Sequence, residues 1–330
     1  EYETFKNEVS FARKMADRVG AEYHERLLCV DDLVDFLPQM VHLQDEPIGD
    51  PVCVPVYYVS KLARDNGVIV CQVGEGADEL FWGYPGWERS LRMQKLFDKP
   101  PAFVKKLALA WLKRTGQQRR PRYETLSRSA AGRPLFWGGA EGYPENFKRF
   151  VLSERMNREF KNFSSWEALA PLRRRFERNA WERSHLNWMT YLDLNLRLPE
   201  LLLMRVDKMS MGVSLETRVP FLDHKFVETA MSIPEAVKTK DGVLKYILKK
   251  AVRGLIPDEL IDRKKQGFSV PVQHWFMERL GDSIRKELDS FCAETDYFDR
   301  GEIQSLIDNN MSNELWYVLN FAMWWKNSMQ

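Results

Sequence analysis

Apolar positions change rhythm along the chain, and the rhythm predicts its elements. In the first eighty or so residues amphipathic stretches alternate with short apolar runs. The spacing predicts a helix over 6–19, a strand near 22–29, a helix near 30–43, a proline-rich loop, and a helix near 55–66 ended by Gly67. The unbroken run Val68-Ile69-Val70-Cys71 then reads as a buried parallel strand, and Leu80, Phe81 and Trp82 read as the start of another helix. This is α/β order. From 85 to 195 the sequence is irregular, aromatic and basic with helical segments, and it reads as a helical insertion without internal repeats. Beyond 195, helices are predicted at 199–211 with Pro199 in the first turn, 223–232, 242–253, 271–290 and 313–327.

The link between the apolar run at 68–71 and the helix after it carries the first candidate chemistry. Gly74 and Gly76 let backbone approach a ligand closely, and the N–H groups opening the next helix form an anion site. Glu75, Asp78 and Glu79 would repel phosphates there unless a divalent cation lay between, and hard oxygen ligands suit Mg²⁺. The loop therefore predicts magnesium with a polyphosphate. Acids in a first helical turn are also favoured by the helix dipole alone, and glycines mark ordinary turns, so the loop has a structural reading as well.

Lys245 is the candidate lysine. In a helix over 243–253, Leu244, Ile247, Leu248, Ala251, Val252 and Leu255 form one apolar stripe, with Lys245 on its edge and Lys249, Lys250 and Arg253 turned progressively away. Its alternative role is a snorkelling side chain that covers the core. Arg205, Asp207, Lys208, Glu216 and Arg218 form a dense charge set around the break at Gly212, which suits a site or a structural ion-pair network equally. Asp223 precedes a fresh helix and reads as its N-cap. The loop DEPIGDPVCVP at 45–55 sets Asp45, Glu46 and Asp50 among three prolines, either near a ligand or as a solvated turn.

GEGADELFWGY at 74–84, LLMRVDKMSMGVSLETRVPFLDHKF at 202–226, GVLKYILKKA at 242–251 and RKKQGFSVP at 263–271 together resemble the synthetase domain of glutamine-dependent asparagine synthetases, from the first residues to about 276. The resemblance implies an adenine-nucleotide α-hydrolase-like parallel sheet core and an ATP pyrophosphatase. Such an enzyme adenylates a carboxylate, releases pyrophosphate and lets ammonia displace AMP to leave an amide. By the same resemblance Val73 and Gly74 lie beside ATP, Glu75 near the acceptor, Asp78 on the magnesium pyrophosphate side, and Lys245 against the reacting carboxylate and phosphate. Arg205, Asp207, Glu216 and Lys264 are further candidates, Lys264 in a loop that approaches the active centre in relatives. Aspartate is the expected acceptor. Val54 stands where some relatives have Thr before the proline, which keeps another acid open, such as a sugar carboxylate in surface-polysaccharide assembly. A non-catalytic interaction module derived from the fold is the reading from a different class.

One family feature has no counterpart in the sequence. No Ser-Gly-Gly-x-Asp-Ser string occurs, and the one Gly-Gly pair, Gly138-Gly139, follows a Trp in an unrelated stretch. The chain is therefore expected to be part of a longer polypeptide whose first strand, pyrophosphate loop and glutaminase domain lie outside it, and to bind Mg-ATP poorly by itself. The expected division is 1–84 as a partial nucleotide-binding core, 85–195 as the helical insertion, and 196–330 as a helical continuation that contributes to the site.

Composition narrows the partners. Lys and Arg number 49 against 47 Asp and Glu, for a net charge of +2, which argues against a nucleic-acid binder driven by overall charge. The basic cluster from Lys105 to Arg122, with Trp111 and Tyr123 nearby, reads as a solvated face, so neither nucleic acid nor a membrane is expected as partner. Cys29, Cys53, Cys71 and Cys292 show no metal or disulfide spacing, the five histidines no ligand spacing, and a cytoplasmic protein is expected, with a homodimer as one candidate assembly.

Overall fold

A computed structural model describes residues 8–139, 141–263, 265 and 281–329. The chain divides into two compact units, 1–83 with 202–281 and 323–330, and 84–201 with 282–322.

The first unit holds α1 (Val9–Val19), α2 (Val30–Leu43), α3 (Cys53–Asp65), β1 (Val70–Gln72) and α4 (Ala77–Phe81). After the second unit, the chain returns with α12 (Met204–Met211), β2 (Glu216–Arg218), α13 (His224–Ser232), α14 (Glu235–Lys238), α15 (Tyr246–Val252) and α16 (Asp258–Asp262). In α2 the buried residues Leu33, Phe36, Leu37, Met40 and Val41 keep the helical period, and the Asp32 carboxylate accepts the Cys29 N–H at 2.9 Å to close the first turn. This stripe meets α3, where Phe36 stacks on Tyr57 with ring centroids 4.0 Å apart. α3 also packs on α12.

β1 and β2 run parallel, with Val70 opposite Glu216, Cys71 opposite Thr217 and Gln72 opposite Arg218. The parallel direction agrees with expectation, but burial does not: Ile69 is 64% exposed, and Val68 and Val70 are also open to water. A parallel strand is buried by helices packed over both of its faces, and the apolar run at 68–70 is left open to water without that cover. The strand expected near 22–29 does not form: residues 21–29 carry no regular element and join no ladder among the described residues, and a strand exists only through its partner.

The second unit is helical: α5 (Pro85–Asp98), α6 (Ala102–Arg114), α7 (Pro121–Ala130), α8 (Glu145–Val151), α9 (Glu154–Glu159), α10 (Trp166–Asn179) and α11 (His185–Asn195), then α17 (Gly281–Glu294), α18 (Arg300–Asp308) and the first part of α19 (Ser312–Met329). Trp137, Leu169, Phe176, Trp188 and Leu192 form a core cluster there. The helix expected at 199–211 is two elements, a wide-turned π-helix at Leu198–Leu203 followed by α12. The proline at 199 has no N–H to donate into a regular ladder, which fits its place in the first turn of the irregular part.

The helix expected over 242–253 is shorter, and the difference falls on Lys245. α15 begins at Tyr246, and Lys245 precedes it with φ +55° and ψ +31°. Its N–H goes to the carbonyl of Phe81, the last residue of α4, at 3.1 Å, while its own carbonyl accepts the Lys249 N–H at 2.8 Å. A tertiary hydrogen bond thus bends the backbone where local periodicity would have continued the helix.

Candidate functional site

Two ionic groups meet at the loop after β1, both within the first unit. Gly76 caps α4 with φ +92°, a conformation glycine adopts freely, and a Cβ there would lie 2.5 Å from Leu222 Cδ2. α4 is only five residues long, so its dipole adds little to anion binding. The positive charge at the loop comes instead from side chains.

The first group is Asp78 with two lysines. Lys245 Nζ lies 2.8 Å from Asp78 Oδ1, and Lys265 Nζ lies 2.9 Å from Oδ2. Burial by itself would raise the Asp78 pKa, but the two ammonium groups hold it below its ordinary value. Two cations on one carboxylate leave a local excess of one positive charge. The fit around them is close: a Cβ at Gly83 would fall 1.7 Å from Asp78 Oδ1 and 2.3 Å from Lys245 Cε. The Gly83 N–H also donates to the Asp78 carbonyl at 2.8 Å, across Trp82, which is buried with φ +57°. Trp82 and Lys245, the latter a member of the ion pair, are both non-glycine residues in the left-handed region.

The second group centres on Arg205, which α12 buries. Its Nη1 donates to Asp50 Oδ2 at 2.6 Å and its Nη2 to Glu75 Oε1 at 3.0 Å, while Nε has no hydrogen-bond partner among the described residues. Burial raises the Glu75 pKa; Arg205 counters this, and the nearby Glu79 and Asp78 push it further up. Glu75 and Asp78 are three residues apart, so the loop places one carboxyl in each group.

The remaining candidates lie as follows. Val73 donates its N–H to the Arg218 carbonyl at 2.9 Å, so that donor is used by the sheet. Gly74 has open space where a Cβ would stand. Glu216 and Arg218 pair with each other at 2.8 Å on exposed β2, Lys208 pairs with Asp45, and Asp207 is exposed on α12. Lys264, Gln266, Gly267 and Phe268 lie outside the described residues. Asp223 caps α13 by accepting the Lys225 N–H at 3.0 Å and the Phe226 N–H at 3.1 Å. Asp50, which the sequence leaves between a ligand-side acid and a solvated turn, and Lys265, in the loop whose lysines could attract phosphate, are the two members outside the expected site residues.

No group of three or more His, Cys, Asp or Glu residues that could hold a metal by itself occurs among the described residues. A Mg²⁺ ion here would have Asp78 as its protein ligand and take its remaining oxygens from phosphate and water, the usual manner for this ion.

These features define a mixed α/β protein, mostly helical around a small parallel sheet, with its charged residues gathered at the carboxyl end of a strand, where open α/β sheets bind ligands. The family model described as asparagine synthase matches residues 2–326, and the chain belongs to that family. It is 31% identical over 327 residues to asparagine synthetase [glutamine-hydrolyzing] 1 of Bacillus subtilis (strain 168), covering 96% of this chain and 50% of that protein. A putative asparagine synthetase [glutamine-hydrolyzing] of Mycobacterium bovis is 29% identical over 334 residues, covering 96% of this chain and 48% of its own length. Amidase chyE of Penicillium rubens is 23% identical over 297 residues, 82% of this chain and 42% of that protein. The chain spans about half the length of the curated relatives it matches. No helix among the described residues is long and apolar enough to cross a membrane.

Proposed function

We propose that this chain is the synthetase part of an ATP-dependent amidotransferase, which activates a carboxylic acid, favoured as aspartate, and forms its amide with ammonia supplied by a glutaminase domain on the parent chain. The observation that carries this reading is the Asp78 carboxylate held between Lys245 and Lys265 beside the glycine loop.

The residues fit Mg-ATP in the following sense. Lys245 and Lys265 would hold phosphate oxygens, and Asp78 would hold a divalent cation. Bound Mg²⁺ supplies charge neutralisation to the leaving pyrophosphate. In the first step an acceptor carboxylate oxygen bonds to the α-phosphorus, the bond from that phosphorus to the bridging oxygen breaks, and pyrophosphate leaves. Negative charge gathers on the carboxylate and the α-phosphate, and Lys245, partly screened from water, favours that state over the ground state. In the second step ammonia bonds to the acyl carbon, AMP leaves with the electron pair, and the surplus proton needs a base. Glu75, its pKa raised by burial, is suited to take it.

The test uses the parent protein with Mg-ATP, an ammonia source and a panel of acids. With aspartate carrying ¹⁸O in its side-chain carboxylate, label is expected in AMP, with one pyrophosphate per amide. Formation of ADP and phosphate instead would overturn the reading. Val54 favours a second acceptor class, because this fully apolar side chain is buried at the start of α3 and offers no hydroxyl to an amino acid. Label transfer from a sugar carboxylate and none from aspartate would select it.

A further inference from the structure

Helix α6 turns an apolar stripe to water. Phe103, Leu107 and Trp111 recur every four residues and are 65%, 68% and 58% exposed, and Val104 beside them is exposed as well. At 3.6 residues per turn these four side chains share one face. The helix is fixed from its other side, where Lys105 and Leu112 are buried and α7 packs against it. Scattered apolar residues on a surface need no explanation, but two large aromatics and a leucine in register along one helix form a patch of the kind that marks an interaction surface.

Charge indicates what the patch meets. Between Asp98 and Glu124 the sequence has no acidic residue and eight Lys and Arg. Lys106 and Lys113 lie along one border of the stripe and Arg114 at its end, all three exposed, and none has an ion-pair partner among the described residues. Arg119, by contrast, is committed to Glu302 at 2.8 Å. An apolar face bordered by unpaired cations is complementary to an anionic lipid surface: the rings and the leucine enter the boundary of the acyl chains while the lysines stay at the headgroups. A helix of 13 residues is too short to span a bilayer and suits lying in its plane. The sequence reading, a solvated basic face, did not reckon with the stripe being presented to water beside the cations.

We propose that α6 docks the protein peripherally on anionic membrane surfaces, and this does not depend on the activity assigned above. The test is flotation of the parent protein with vesicles of phosphatidylcholine containing phosphatidylglycerol, against vesicles of phosphatidylcholine alone. The parent protein is expected to float with the anionic vesicles only, and high salt is expected to reduce this. The combined variant Phe103→Ser, Leu107→Ser, Trp111→Ser should lose at least about tenfold in bound fraction, and Lys106→Glu with Lys113→Glu should lose as much, with the melting temperature of each unchanged because the sites are exposed. Failure of the parent protein to float overturns the proposal, including the case in which protease protection shows α6 covered by another part of the parent chain. So does flotation that survives the Ser variant, or loss confined to the Glu variant together with retention of a single-stranded RNA, which would assign the face to nucleic acid.

Discussion

Lys245 and Asp78 are joined by two independent ties: their side chains pair at 2.8 Å, and the Lys245 N–H is bound to the carbonyl of Phe81 at the end of the helix that carries Asp78. The lysine is therefore positioned by its backbone as well as its charge. Lys245→Met in the parent protein is expected to slow amide synthesis roughly a hundred- to thousandfold, equivalent to about 3–4 kcal/mol of lost transition-state stabilisation, with glutamine hydrolysis still measurable. Lys250→Ala, on the exposed side of α15, is the control. Equal losses from both would show only a disturbed helix.

Gly83 gives a steric test of the same pair. Gly83→Ala places a methyl group within 1.7 Å of Asp78 Oδ1, so the carboxylate and Lys245 must move apart. Pyrophosphate release should fall by at least about tenfold while the far-ultraviolet circular dichroism of the parent protein stays the same. Normal kinetics would mean that the site tolerates a displaced Asp78.

The two loop acids should respond to pH with opposite sign. Asp78 has a folded pKa below its ordinary 3.8, so its contribution to stability is present above that value and is lost as pH falls through the lower folded pKa. Glu75 has a folded pKa above its ordinary 4.5, so its contribution is greatest below 4.5 and is lost as pH rises through the higher folded pKa. Melting temperatures across the acid range should therefore show Asp78→Asn destabilised most at neutral pH and Glu75→Gln neutral or stabilised there. The same sign for both variants at pH 7 would contradict the assignment. Asp78→Asn should also suppress carboxylate-dependent pyrophosphate release, since an amide holds Mg²⁺ less well.

Asp50 is expected to act through Arg205. Asp50→Asn keeps an oxygen able to accept from Arg205 but removes its negative charge, so that Glu75 is left as the one carboxylate bonded to the guanidinium among the described residues. The Glu75 pKa should fall, moving the acidic limb of the pH profile for amide formation to lower pH. Asp50→Glu should restore part of the shift. A lower melting temperature with an unmoved limb would assign Asp50 a structural role only.

The elements with strong local signals were legible in the sequence: α2, α3 and α13 stand where periodicity and caps predict them, and the glycine-acid loop stands between strand and helix. What was not legible depends on distant partners. The stripe from Leu244 to Leu255 gives no hint that Lys245 leaves the helix, because the bond to Phe81 that bends it joins residues far apart in the chain. Lys265 resembled any loop lysine until the fold set it on Asp78, and Asp50 resembled any turn acid until Arg205 reached it. Residues 21–29 carried a strand-like pattern, but no ladder partner is present among the described residues.

The open side of β1 has a consequence for handling the isolated chain. The stretch GVIVCQVG at 67–74 contains neither proline nor any charged residue, and β1 is hydrogen-bonded to β2 on one side only among the described residues. Free N–H and C=O groups along an exposed apolar strand invite a further strand to add, and neighbouring copies of the same polypeptide are the strands at hand in a concentrated solution. Loss of material from such a preparation would then grow with concentration and proceed by sheet growth from folded molecules, with no need for unfolding.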